Sequence, residues 1–144
     1  MSEHAVLNAN YLRHKIMEEA EAKGVSHVFC DGAPVDVVKH EFTLSLAPLK
    51  EQKGLGAMDV AKGLLDKGYM APTVYFPLIV PECMMIEPTE TESKEVLDEF
   101  ARKFVEVLQE DADVLHNAPV TTKVRRVDEV YAARNLTLSY PFDE

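Results

Sequence analysis

Only two cysteines occur, Cys30 and Cys83, far apart and without Cys-x-x-Cys spacing. Their scarcity excludes a disulfide-stapled scaffold and a cysteine-based zinc site. It predicts two free, buried thiols in a reducing compartment, which implies a cytoplasmic protein. The five histidines show no ligand spacing either, so no metal is expected. No run of 18 apolar residues exists, and the N-terminus lacks a basic stretch followed by an apolar one. A membrane span and a signal peptide are therefore not expected. Positive charge is also short, with 15 Lys and Arg against 25 Asp and Glu and a net charge of −10. Phosphate backbones repel such a surface, so nucleic acid is not a partner it suits. Glycine-rich phosphate loops and nucleophile–base motifs are missing, and with them any self-contained catalytic constellation.

What remains is an ordinary globular composition, 47% hydrophobic and 28% charged over 144 residues. A chain of this size buries roughly two-thirds of its unfolded surface as one domain, here taken as residues 1–144. Ala9, Leu12, Ile16 and Ala20 recur at helical steps and predict a helix over 5–23, with Gly24 as its terminating glycine. Val25 to Cys30 is a candidate strand leading into an Asp31-Gly32 turn. Alternation of Phe42, Leu44 and Leu46 with Glu41, Thr43 and Ser45 predicts a strand over 40–46. Pro48 and the glycines at 54 and 56 make the next segment a loop. A second helix follows over 57–67, striped by Val60, Ala61, Leu64 and Leu65 and ended by Gly68. Gly63 inside it disfavours the helix by roughly 1 kcal/mol, which points to close packing against a neighbour.

Residues 69–94, YMAPTVYFPLIVPECMMIEPTETESK, concentrate four of the eight prolines and three of the six methionines. Strands are expected at 73–77, with Val74 and Phe76 on one face, and at 83–87, separated by prolines that offer no backbone N–H. Thr89 and Glu92 fit a capping box opening a third helix that runs to about residue 110. Val96, Leu97, Phe100, Phe104 and Leu108 form its apolar face. A loop over 111–122 and a short helix, in which Val127, Val130 and Tyr131 pack, complete the pattern. The class is α+β: a small, mainly antiparallel sheet of three to four strands covered by helices. Seven apolar side chains between Tyr75 and Met85 exceed what such a sheet buries, which predicts an exposed patch. Leu136, Leu138, Tyr140 and Phe142 of the tail are the alternative cover for that face.

The segment APTVYFPLIVPECMMIEPTETESKEVLDEF resembles the C-terminal part of glycine dehydrogenase (decarboxylating), the P-protein of the glycine cleavage system. TVYFPLIVPE is most similar to the second subunit of the two-subunit bacterial form. AVLNANYL at 5–12, HEF at 40–42, DVAKGLLDKGY at 59–69 and VRRVDEVYAARN at 124–135 extend the resemblance in order over nearly the whole chain. It implies the small C-terminal domain of a fold-type I pyridoxal-phosphate enzyme, with the cofactor-bearing lysine upstream and no cofactor in this chain. His14-Lys15 matches the family's cofactor motif in two letters only and sits on a helix face, so Lys15 receives no catalytic role. In the complete enzyme glycine is decarboxylated and its aminomethyl group passes to the lipoyl arm of the H-protein. The implied partners are an upstream cofactor domain or companion subunit and that lipoylated H-protein, with self-association possible and no membrane.

No catalytic, cofactor-binding or metal-binding residue is assigned. The candidates for a cleft wall are His40, at the start of a strand, and Glu87, Thr89 and Glu90 of the Glu-Pro-Thr-Glu segment. Each has a structural reading beside the functional one: a backbone-bonded ring for His40, helix capping for the other three. Arg125 and Arg126 are expected to form surface salt bridges. Two functions stay open, the C-terminal domain of that enzyme, inactive alone, and a stand-alone non-enzymatic α+β binding or interaction module derived from it.

Overall fold

The computed structural model describes residues 1–32 and 35–139. Helix α1 (Ser2–Ala22) leads through a short 3-10 turn (Ser26–Val28) into strand β1 (Cys30–Asp31). Then come β2 (Phe42–Ser45), α2 (Ala47–Lys53), α3 (Ala57–Asp66), β3 (Thr73–Val74) and β4 (Cys83–Ile86). Helices α4 (Lys94–Gln109), α5 (Ala112–Asn117) and α6 (Glu129–Arg134) follow. The four strands form one antiparallel sheet in the order β1-β2-β4-β3. This is the small helix-covered α+β sheet that the patterning implies.

The β2–β4 register places Phe42 opposite Ile86 and Leu44 opposite Met84. All four are buried with Leu12 and Ile16 of α1 and Leu97, Phe104 and Leu108 of α4. Period-two alternation puts this set on one sheet face, and α1 and α4 lie across it side by side. The opposite face carries Thr43, Met85, Ser45 and Cys83. Gly63 is where α3 meets α4 and α5: a Cβ there would stand 2.6 Å from Leu115 Cδ2 and 2.9 Å from Val107 Cγ1. The close packing expected of that glycine is present.

Several boundaries differ from the sequence reading. Residues 47–53 form a helix, because Pro48 lies in its first turn, where the missing N–H is harmless, and Gly54 at φ 72° closes it. Helix α4 begins at Lys94, capped by the Ser93 hydroxyl accepting from the Val96 amide at 3.4 Å. The Thr89–Glu92 capping box is therefore absent; the Thr89 hydroxyl bonds that of Thr91 at 2.7 Å instead. Residues 112–117 are helical within the expected loop, and β3 stops at Val74. Val74 is partly buried against the core, whereas Phe76 is exposed. Cys83 is buried but Cys30 is exposed on the edge strand, against the expectation for both thiols.

Between β3 and β4, residues 75–82 form a projecting finger. Its two flanks, Tyr75 (φ 61°) and Glu82 (φ 46°), hold left-handed backbone without being glycine, a conformation costing each about 1–2 kcal/mol. Hydrogen bonds at the base hold them there. The Tyr75 amide donates to the Cys83 carbonyl at 2.8 Å, the Leu46 amide to the Glu82 carbonyl at 3.0 Å, and the Ser45 hydroxyl to the Pro81 carbonyl at 2.6 Å. The Glu82 carboxylate pairs with Lys50 and accepts from the Ala57 amide at 2.9 Å.

Beyond Pro119 the chain becomes an arm. Val127, Val130 and Tyr131 are exposed rather than packed. Leu136 and Leu138 are exposed too, so they cover nothing; Tyr140 and Phe142 lie outside the described residues. Asp66 at the end of α3 accepts from the Val120 amide (2.8 Å), the Thr121 amide (2.8 Å) and the Thr121 hydroxyl (2.7 Å). Arg126 reaches Asp59 at 2.8 Å and also bonds the Leu115 and Ala118 carbonyls. The surface pairing expected of Arg126 is thus present, and its role is to fasten the arm to α3 and α5.

Candidate functional site

His40 stands two residues before Phe42 and Glu87 one after Ile86, so the Phe42–Ile86 register brings them to the same end of the sheet. His40 Nε2 lies 3.8 Å from Glu87 Oε1, and both side chains are about half exposed. The pair is ionic only when the imidazole is protonated. Buried Pro88 follows, and the chain then turns through Thr89 and Glu90, with the Glu92 amide donating to the Thr89 carbonyl at 3.3 Å. Glu87, Thr89 and Glu92 rim a groove of 390 Å³ between residues 68–72 and α4, whose walls include Tyr69, Val96 and Phe100. His40 and Glu90 stand outside its lining. The structure therefore brings His40 and Glu87 together and puts Thr89 beside Glu87 on a groove edge.

Two asparagines of α1, which the sequence reading passed over, hold this arrangement. Asn8 is buried, and its amide donates to the Thr89 carbonyl at 2.8 Å and the Glu92 carbonyl at 3.1 Å. Asn10 donates to the Val38 carbonyl at 2.8 Å and accepts from the Val38 amide at 2.9 Å, fixing the segment that enters His40. Asparagine is a poor residue for a helix interior because its side chain competes for backbone groups. Two within three positions of a helix were the available signal. Between α1 and α4, Tyr11 donates to Asp98, and Lys94 reaches Asp98 at 2.7 Å while lying 5.2 Å from the Tyr11 ring centre.

Burial pushes the Tyr69 phenol above its ordinary value, with Glu99 adding to the effect. Apolar walls with Glu87 and Thr89 on the rim can shape and hydrogen-bond a ligand, and His40 pairs with Glu87 from outside the groove. Among the described residues no group of three His, Cys, Asp or Glu side chains converges to hold a metal ion.

The lysines that are paired with carboxylates do not fit covalent pyridoxal phosphate. A lysine that condenses with it is activated by a lowered pKa. Lys15, Lys50 and Lys94 are shifted the other way, each first of all by a hydrogen bond to a carboxylate, from Glu19, Glu82 and Asp98 respectively. Lys67 and Lys103 are paired with Glu110 and Glu106 at 2.7 and 2.8 Å. The start of α3, a natural phosphate cradle, already holds two carboxylates. Ala57 N donates to Glu82, and Gly56 N to Asp59 at 2.9 Å.

Residues 1–130 match the family described as glycine dehydrogenase, C-terminal domain. Among curated relatives, a "Probable glycine dehydrogenase (decarboxylating) subunit 2" of Nitrosospira multiformis is 50% identical over 143 residues, covering 97% of this chain and 27% of the relative. Proteins of the same description from Thiobacillus denitrificans and Desulforamulus reducens are 48% and 49% identical over 97% and 93% of the chain. These two are covered over 28% and 26% of their length, so the chain spans about a quarter of the relatives it matches.

Proposed function

The chain belongs to the glycine dehydrogenase C-terminal domain family, and from that premise we propose that residues 1–144 act as one domain, the C-terminal domain of a decarboxylating glycine dehydrogenase. The observation carrying this is the near-half identity that runs through almost all of the chain. In the assembled enzyme the domain contributes one wall of the active-site cleft, with His40, Glu87, Thr89 and Glu90 as the wall residues. An upstream domain or a companion subunit brings pyridoxal phosphate, which supplies the electron sink for decarboxylating glycine. The lipoylated H-protein is the acceptor of the aminomethyl group. This domain orients and encloses; its side chains hold their positions through Asn8 and Asn10. The free thiols at Cys30 and Cys83 suit a reducing cytoplasm.

By itself the chain neither decarboxylates glycine nor fixes the cofactor covalently. Borohydride reduction with added pyridoxal phosphate, followed by peptide mapping, tests this. The expected result is scattered, substoichiometric labelling of surface lysines. One lysine labelled stoichiometrically would overturn the assignment of the cofactor to another part of the enzyme.

A further inference from the structure

We infer that the finger of residues 75–82, together with the adjoining face of the arm, is a preformed docking surface for the cofactor-bearing part of a glycine dehydrogenase, the part to which the proposed function assigns the lysine. Leu78 and Ile79 at its tip are 88% and 89% exposed. Such exposure of two adjacent large aliphatics would suit an unanchored loop, but this loop is anchored at its base. Both flanks are pinned in left-handed backbone, and the base is bonded to β4, β2, α2 and α3 through Tyr75, Pro81 and Glu82. Strained backbone that is held from outside is characteristic of sites built for contact. A rigid apolar projection also loses little entropy on binding.

The surface continues past the finger. Tyr75 shares a depression with Met58 of α3 and with Val127 and Val130 of the arm. The depression is lined by Lys62 and Arg126 against Asp128 and Glu129, so its charges balance, and Arg126 is already bonded to Asp59. The complementary surface is an apolar socket with a polar rim. The occupant is indicated by length: this chain spans 27% of its Nitrosospira relative, so most of that protein lies outside the matched span. A second copy of this chain fits less well, because its acidic surface would repel itself.

The full chain is titrated with the remaining upstream portion of the Nitrosospira multiformis relative, and binding is followed by sedimentation velocity and calorimetry. Leu78→Asp/Ile79→Asp is compared with the control Leu7→Asp, an exposed position on α1. The expected result is a one-to-one complex that the double substitution weakens about tenfold or more, with unaltered thermal unfolding and an unaffected control. A complex indifferent to the double substitution would overturn the finger alone and leave the proposed function standing. No binding by the unmodified chain would overturn both. A chain that dimerises through the finger, and loses the dimer on substitution, would replace the proposed occupant with a second copy.

Discussion

The α1–α4 layer and the arm after Pro119 use similar apolar residues and treat them oppositely. Leu12, Ile16, Leu97, Phe104 and Leu108 disappear into one cluster under the sheet. Val120, Val124, Val127, Val130 and Tyr131 stay mostly in solvent. The first region holds its shape because burial removes apolar surface from water. The second holds its shape through polar clamps: Asp66 on the Val120 and Thr121 amides, Arg126 on Asp59 and on two carbonyls. A segment can thus be positioned without being packed, and its apolar face stays available.

Truncation separates the two regions most sharply. Phe104→Ala, at a site sealed from solvent and ringed by Phe29 and Phe100, should cost about 3–5 kcal/mol in equilibrium denaturation. Tyr131→Ala in the arm should change stability by no more than about 0.5 kcal/mol. Comparable losses at both sites would mean the arm is packed after all, and the contrast would collapse.

Helix capping gives a finer test inside the packed region. Ser93→Ala should remove the α4 cap and cost about 0.5–1 kcal/mol, whereas Thr89→Ala should leave denaturation midpoints nearly unmoved. The reverse order would restore the earlier helix start.

The smallest effect is local and concerns the clamp. Burial, the strongest single influence on the Asp66 carboxyl, works to raise its pKa. The Thr121 hydroxyl and the Thr121 and Val120 amides outweigh it, so the value lies below the ordinary one. With the folded value below the unfolded one near ~3.9, the clamp contributes fully above that pH. Its contribution is lost as pH falls through the folded value. Hydrogen-exchange protection of the Val120 and Thr121 amides should therefore persist at neutral pH and drop below about pH 4, ahead of protection in α1. Asp66→Asn should flatten the profile. Protection that stays unchanged while the Asp66 carboxylate is protonated would show that something other than this carboxylate holds the arm.

Periodic elements were legible in the sequence because their own residues carry the signal. The stripes of α1 and α3, the alternation of β2 and the packing role of Gly63 all follow from spacing. What escaped depends on partners. Helix α2 has seven residues and α5 six, too short for a period to show, and Pro48 reads as a breaker until its place in the first turn is known. Thr89 and Ser93 are both plausible caps, and Asn8, by drawing the Thr89 and Glu92 carbonyls to α1, places that turn outside the helix. At the site, His40 and Glu87 were each visible as candidates. Their pairing lies in the cross-strand register, and their support lies in Asn8 and Asn10, whose partners are 81 and 28 positions away.

Those two asparagines make α1 a gauge block. Two positions apart on an α-helix differ by about 200° in azimuth, so Asn8 and Asn10 face away from one another and grip separate segments. The spacing between the His40 strand entry and the Thr89 turn is therefore a dimension of the helix barrel. Inserting one residue between Asn8 and Asn10 would swing one grip by about 100°, and no sliding of the sheet could recover both. The groove edge is a machined tolerance, set by one rod and read at two ends.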